Sequence, residues 1–562
     1  MTHGSQQAES QRQFRAVFVK VLDYVTEVNK QRNLAATLSH YYDSWRQLTE
    51  ILFCVAPRTC STWSPGKISS STSPRSAEQI PPPKSCHKSG TSPPDGATLC
   101  AIVCNGLHRG RTRRVPHVAL SCLDSLWEIK PGHGLDDTLT KPGLLRSLID
   151  SLTHDARGTE RSARAEPQVP ARAVRVRVQA GAAQLIKIAG TRPGAETLLA
   201  QGALASLANM RALDCHPDIH TGYANHQDTE FVPSVANRFR DILVPALALC
   251  DALLSTLGAD NHSCVLHVTH FLLSHLECVD MVLRAAHPLS PPGLLVELEA
   301  LTSVIARSAG RELLGAVADT ALQHSAAAVQ RVQHLALALL PRFQQPPSAA
   351  PDADADATIY YKIVWNLLMF ARKTLAGADA GAEDARRAGR SSLVLLQVLL
   401  RRAHAHAKLL DTVHHQLPKV HSMTLSDMKK LLGEEVSAAS PVEARASVVH
   451  TLRTRARARR QELQCCEQAA HAALHLLWAH ARLLLRAAVP VTHDHRAITR
   501  SAAIRSAVGD EPTELRKELL SVFNEHFVEE LLDTAKNQPA VQRGFLEVLV
   551  KDIKAMIQFS PV

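Results

Sequence analysis

Along most of this chain, apolar residues recur at steps of three and four, the spacing that gathers side chains on one face of an α-helix. The clearest run begins after Ser234, a candidate N-cap. Val235, Phe239, Ile242, Leu243, Leu247, Cys250, Leu253, Leu254 and Leu257 follow in phase, and Gly258 can end the helix. A second helix carries Val265, Val268, Leu272, Leu276, Val279, Val282 and Leu283, and ends before His287 and Pro288. A third carries Leu294, Leu295, Leu298, Leu301, Val304 and Ile305; a fourth spans 311–340 and stops at Pro341. Long helices joined by short turns bury their apolar faces by stacking antiparallel on one another, as in an α-solenoid. No strict period links them, so the stack is irregular rather than a regular tandem repeat.

The length of 562 residues exceeds a single hydrophobic core, which stops growing near roughly 250–300 residues. Aromatic residues make up only 4%, so the core must come from Leu, Val, Ile and Ala, of which Leu and Ala favour helix. The fold class expected is therefore all-α, an irregular α-helical solenoid with disordered linkers. Residues 1–54 read as a helical segment. Residues 55–98 are rich in Ser, Pro, Lys and Gly with no aliphatic periodicity, which predicts a disordered linker or sequence foreign to the native protein. Solenoid is expected over 99–341, a linker over 342–358, more solenoid over 359–488, a polar linker over 489–509 and a helical tail over 510–562. Residues 359–375 are apolar on nearly every face, which predicts a buried helix. Further helices are expected over 391–415, 425–432 and 442–488. The alternation over 174–178 runs straight into helical pattern and is read as helix.

The net charge is +10, densest over 109–114, 172–177 and 453–460. Such a balance admits nucleic acid, but no aromatic side chains sit among these arginines to stack on bases, which favours solvated helix faces. The 12 cysteines have no regular spacing, and several lie in apolar helical phase, as buried free thiols do. The polar start at 2–13 does not read as a signal peptide. The most apolar long run, 469–489, is interrupted by His471, His475, His480, Arg482 and Arg486, so no transmembrane helix and no membrane insertion are expected.

Motifs that carry chemistry are missing. There is no phosphate-binding Gly-x-x-x-x-Gly-Lys loop, no dinucleotide fingerprint around Gly132 and Gly134, and no Gly-x-Ser-x-Gly elbow. His471 and His475 have the helical spacing of zinc ligands but lack the adjacent catalytic Glu. Cys264, His267, His270, His275 and Cys278 would radiate around one helix rather than converge. Asp352, Asp354 and Asp356 resemble the start of a calcium loop, but Ala357 and Ile363 stand where Gly and Glu are needed. No catalytic, metal or cofactor site, no small-molecule substrate and no enzymatic activity are expected.

Residues 188–199 (Ile-Ala-Gly-Thr-Arg-Pro-Gly-Ala-Glu-Thr-Leu-Leu), 231–247 (Phe-Val-Pro-Ser-Val-Ala-Asn-Arg-Phe-Arg-Asp-Ile-Leu-Val-Pro-Ala-Leu) and 271–275 (Phe-Leu-Leu-Ser-His) resemble, in order and spacing, the C-terminal part of the large inner-ring scaffold nucleoporins of the 205-kilodalton type. The resemblance is clearest over 185–310. It implies a helical superhelix in the nuclear pore complex, at the nuclear envelope, that holds other inner-ring nucleoporins and a linker nucleoporin of the 93-kilodalton type. Family members are much longer, so the chain is expected to be a fragment. The sequence lacks Phe-Gly dipeptides, unlike the disordered barrier nucleoporins. Two other classes compete: a helical-repeat adaptor like a transport receptor, and a basic nucleic-acid-binding protein.

The tail offers the candidate partner site. Asp510 caps a helix with Pro512 in its first turn, and Leu515, Leu519, Phe523, Phe527 and Leu531 follow at four-residue steps; Val541, Phe545, Leu549, Ile553 and Met556 follow Pro539. A groove between two such amphipathic helices receives a third, which makes Phe523, Phe527, Leu531, Phe545, Leu549, Ile553 and Met556 the candidate contact residues.

Overall fold

The computed structural model describes residues 145, 146, 148, 149, 179, 181–217, 234–258, 260–309, 326–346, 357–375, 383–424, 426–428, 441–486, 511–536 and 539–559. The expectations for 1–54, 55–98, 174–178 and 489–509, and for the Asp510 cap, lie outside the described residues. Residue contacts divide the chain into two units, Met1–Cys215 and His216–Val562. Among the described residues there is no strand.

In the first unit, residues 181–189 are helical and bury Ala182, Leu185, Ile188 and Ala189. Helix α1 (Arg192–Ala200) starts at Thr191, whose hydroxyl accepts from the Gly194 amide at 3.3 Å, with Pro193 in the first turn. A Cβ on Gly194 would overlap the Ile188 carbonyl, so the tight entry into α1 requires glycine. Gly202, at φ 75°, turns the chain into α2 (Ala203–Ala208).

The second unit contains α3 (Val235–Leu257), α4 (His262–Ser274), α5 (Leu276–Ala285), α6 (Pro292–Ser308), α7 (Ala326–Arg342), α8 (Thr358–Leu375), α9 (Glu383–Gln416), α10 (Pro441–Ala481), α11 (Glu511–Val522), α12 (Glu525–Asp533) and α13 (Ala540–Phe559). They form two layers. One runs α3–α6–α8–α10–α13; the other runs α5–α7–α9. The layers join where α5 meets α6, α7 meets α8, and α9 meets α8 and α10. This is the stacked arrangement the apolar periodicity predicts, and its caps follow the sequence. Ser234 Oγ accepts from the Asn237 amide at 3.2 Å, and Gly258 ends α3 at φ 84°. Phe239, Ile242, Leu243, Leu247, Cys250, Leu253, Leu254 and Leu257 are all buried.

Polar groups inside the stack are spent on joining helices. Lys373 Nζ on α8 donates to the Ala306 carbonyl at 2.6 Å and the Arg307 carbonyl at 3.3 Å, capping the end of α6. Asn366 donates to the Glu299 carbonyl and to Thr302 Oγ1, each at 3.2 Å. The Tyr360 hydroxyl donates to the Phe343 carbonyl at 2.6 Å. Helices α9 and α10 run antiparallel, with His406 Nδ1 3.3 Å from Glu462 and the Cys466 thiol on the Leu399 carbonyl at 3.2 Å. Further along the same register, Gly389 leaves room for the buried His480 ring.

Two continuous helices of the sequence reading are broken in the structure. The run from Val265 to Leu283 splits at buried His275 (φ −116°, ψ 36°) into α4 and α5. Thr269 and Ser274 hydroxyls bond carbonyls four residues back, a habit that bends helices. The tail run from Leu515 to Leu531 splits at Asn524. Its side chain accepts from the Phe527 amide at 2.8 Å and starts α12 afresh. Two ends also differ. Pro341 lies inside the last turn of α7, and α10 passes into a π-type turn over Arg482–Arg486.

Candidate partner-binding tail

The tail is built on the C-terminal half of α10. Helix α13 packs on α10, on α12, on α11 and on the π turn. Four polar contacts fix it. His471 Nε2 lies 3.0 Å from Thr534 Oγ1, and Trp478 Nε1 donates to Asp552 at 3.3 Å. Arg516 Nε donates to the Ile557 carbonyl at 2.9 Å, and Arg390 of α9 pairs with buried Glu511 at 2.6 Å.

A ring cluster lies under the start of α13. His475 stacks on Trp478 with centroids 5.6 Å apart, and Phe545 meets His475 edge-on at 5.4 Å. The Arg482 guanidinium lies 5.3 Å above the Trp478 ring. Arg372 of α8 reaches His475 Nδ1 at 2.6 Å. A guanidinium can only donate, so Nδ1 accepts and the imidazole is neutral. Burial, and then the Arg372 charge, lower the His475 pKa from 6.5 to about 4. Burial alone lowers His471 to about 4. The two histidines that carry zinc-ligand spacing thus serve Thr534 and Arg372. In the other cluster, Cys264, His275 and Cys278 are buried while His267 and His270 are exposed, so they face different ways. Among the described residues, no three His, Cys, Asp or Glu side chains converge.

Of the seven candidate contact residues, five are packed within the chain: Phe523, Leu531, Leu549, Ile553 and Met556 are all buried. Phe527 is half-buried, its ring 5.3 Å from that of Phe523. Phe545 is 50% exposed. The outer face of α13 instead presents Val541 (85% exposed), Phe545 and Val548 (56%), one stripe at steps of four and three. Val541 stood in the apolar run but was not among the candidate contacts, and Val548 was in neither. Helix α13 has two apolar arcs about 100° apart, and only the packed arc continues through Ile553 and Met556.

Comparison with known proteins adds an independent line. Residues 95–309 match the family model described as "Nup192: Nuclear pore complex scaffold, nucleoporins 186/192/205". The "Nuclear pore complex protein Nup205" of Drosophila melanogaster is 27% identical over 487 residues, covering 79% of this chain and 23% of that protein. The human protein of the same name is 29% identical over 251 residues, 44% of this chain and 12% of its own length. The chain therefore spans less than a quarter of the length of these relatives. The family match begins upstream of the segment where the resemblance is clearest in the sequence and ends with it, near 310. With its all-helical stack, the chain is similar over these residues to the scaffold nucleoporins of the 186/192/205 type.

Proposed function

We propose that this chain is a non-enzymatic scaffold of the nuclear pore's inner ring, at the nuclear envelope, and that its tail holds a helix of a linker nucleoporin, of the 93-kilodalton type. The observation that carries this reading is the outer face of α13. Among the described residues, α9, α10 and α11 each expose a single large apolar side chain (Val394, Val442 and Leu520), whereas α13 leaves three, Val541, Phe545 and Val548, open to solvent in one stripe. An open apolar stripe at helical spacing suits an amphipathic partner helix.

Within the sequence-derived set, Phe545 and Phe527 are the residues a partner can reach. Leu531, Leu549, Ile553, Met556 and Phe523 hold the groove's floor. A pull-down with the linker nucleoporin tests this. Phe545→Glu combined with Val548→Glu should remove binding while circular dichroism shows the helices retained. Retention of the partner by this folded variant would place the contact elsewhere. Ile553→Glu tests a different point, because Ile553 is fully buried and its loss disturbs α13 itself.

A further inference from the structure

Helix α10 carries a second feature that tail docking does not use. Between Glu443 and Glu462 the sequence has no acidic residue, yet it contains Arg445, Arg453, Arg455, Arg457, Arg459 and Arg460. Glu462 is buried and engaged by Arg459 at 2.8 Å. Arg453, Arg457 and Arg460 are exposed, with no acidic partner among the described residues. Their steps of four and three put them on one face, over about 10 Å of helix axis. The antiparallel stretch of α9 alongside adds exposed Arg401 and Lys408 against one exposed acid, Asp411.

We propose that this arginine stripe of α10 docks an acidic polypeptide segment, with carboxylates at helical spacing facing Arg453, Arg457 and Arg460. The guanidinium fork matches a carboxylate bidentately, and aligned like charges on one helix face favour a partner of opposite charge. Nucleic acid fits less well. No Phe, Tyr or Trp occurs between 383 and 477, so the surface has no platform for bases. Three or four cations also neutralise few phosphates, and nucleic-acid affinity grows with that number. A membrane surface fits less well again, because a helix lying on lipid needs a free apolar face. The apolar face of α10 here is packed: Val448, Leu452 and Ala456 are buried. The tail contacts on α10 begin at His471, so the stripe lies clear of them along the same helix.

Fluorescence anisotropy on the full chain tests the proposal. The probe is a labelled Glu/Ala helical peptide with glutamates at steps of four and three, compared with an RNA oligonucleotide of equal charge and with phosphatidylserine vesicles. The peptide should bind most tightly, and added salt should weaken it. Arg453→Gln, Arg457→Gln and Arg460→Gln together should weaken it about tenfold or more, while Phe545→Glu leaves it unchanged. Glutamine keeps helix propensity, and a single Arg457→Glu serves as a second, independent variant with the same expected direction. Tighter binding of the RNA or the vesicles, or undiminished peptide binding by both folded variants, would overturn the assignment.

Discussion

Helices α8 and α13 are both strongly apolar, yet they meet solvent in opposite ways. Helix α8 has α6 and α10 beside it in its own layer and α7 and α9 across from it. It buries Tyr360, Tyr361, Ile363, Val364, Leu367, Leu368 and Phe370, and its Asn366, Tyr360 and Tyr361 side chains bond to neighbouring helices. Helix α13 has α10 and the short tail helices on one side, and its other side presents Val541, Phe545 and Val548. In a stack, exposure is decided by the number of neighbours and not by composition alone. Interior apolar residues therefore serve stability, and the exposed stripe of α13 is the surface on which the proposed association rests.

This contrast is broken or sharpened by substitution. The largest effect is expected at the centre of the stack. Leu367→Ala on α8 should cost about 3 kcal/mol, the transfer term plus a cavity, and Leu367→Asp more, because it buries a charge with no partner; thermal or urea unfolding reads both. Second is Gly389→Ala on α9. The added methyl would overlap the His480 ring, and overpacking of this kind costs about 1–3 kcal/mol. Its loss of stability should be relieved by His480→Ala in a double-mutant cycle. Acid should act next, and at the tail. His471 and His475 titrate near 4 in the folded chain against 6.5 ordinarily. Between these values the unfolded chain binds more protons, so stability falls as pH drops from about 6.5 toward 4 and is unaffected above that window. Hydrogen exchange should show α13 loosening before α8 over this range. The smallest effect belongs to the free face: Val541→Ser should change stability by no more than about 0.5 kcal/mol, as urea unfolding can check. A loss as large as that of Leu367→Ala would show that α13 is covered and erase the contrast.

Much of this was legible in the sequence. Leu243, Leu253 and Leu298 are buried where their phase places them, because a 3.6-residue period leaves little choice of face. The capping oxygens of Ser234 and the stop at Gly258 were readable from residue type. The break at His275 was not, since Leu272, Leu276 and Val279 keep helical steps across it; only the backbone turn reveals it. Asn524 did carry a signal, an N-cap residue followed by Glu525, but the even spacing of Phe523, Phe527 and Leu531 concealed it. The tail site was half legible. Periodicity shows that α13 is amphipathic, but it does not say which of two adjacent apolar arcs a neighbour covers, so Leu549 and Ile553 read as contact residues as well as Phe545, and Val541 and Val548 do not stand out. The fit of Gly389 against His480 joins residues far apart in sequence and has no local trace at all.

The central claim is that a stack closed on its interior faces and open along α13 acts as a fixed scaffold. It is tested most directly by fluorescence recovery after photobleaching of the tagged protein at the nuclear rim, wild type beside the Phe545→Glu, Val548→Glu variant. The account predicts very slow recovery for the wild type and faster recovery for the variant. Rapid recovery of the wild type, as a shuttling adaptor would show, contradicts it.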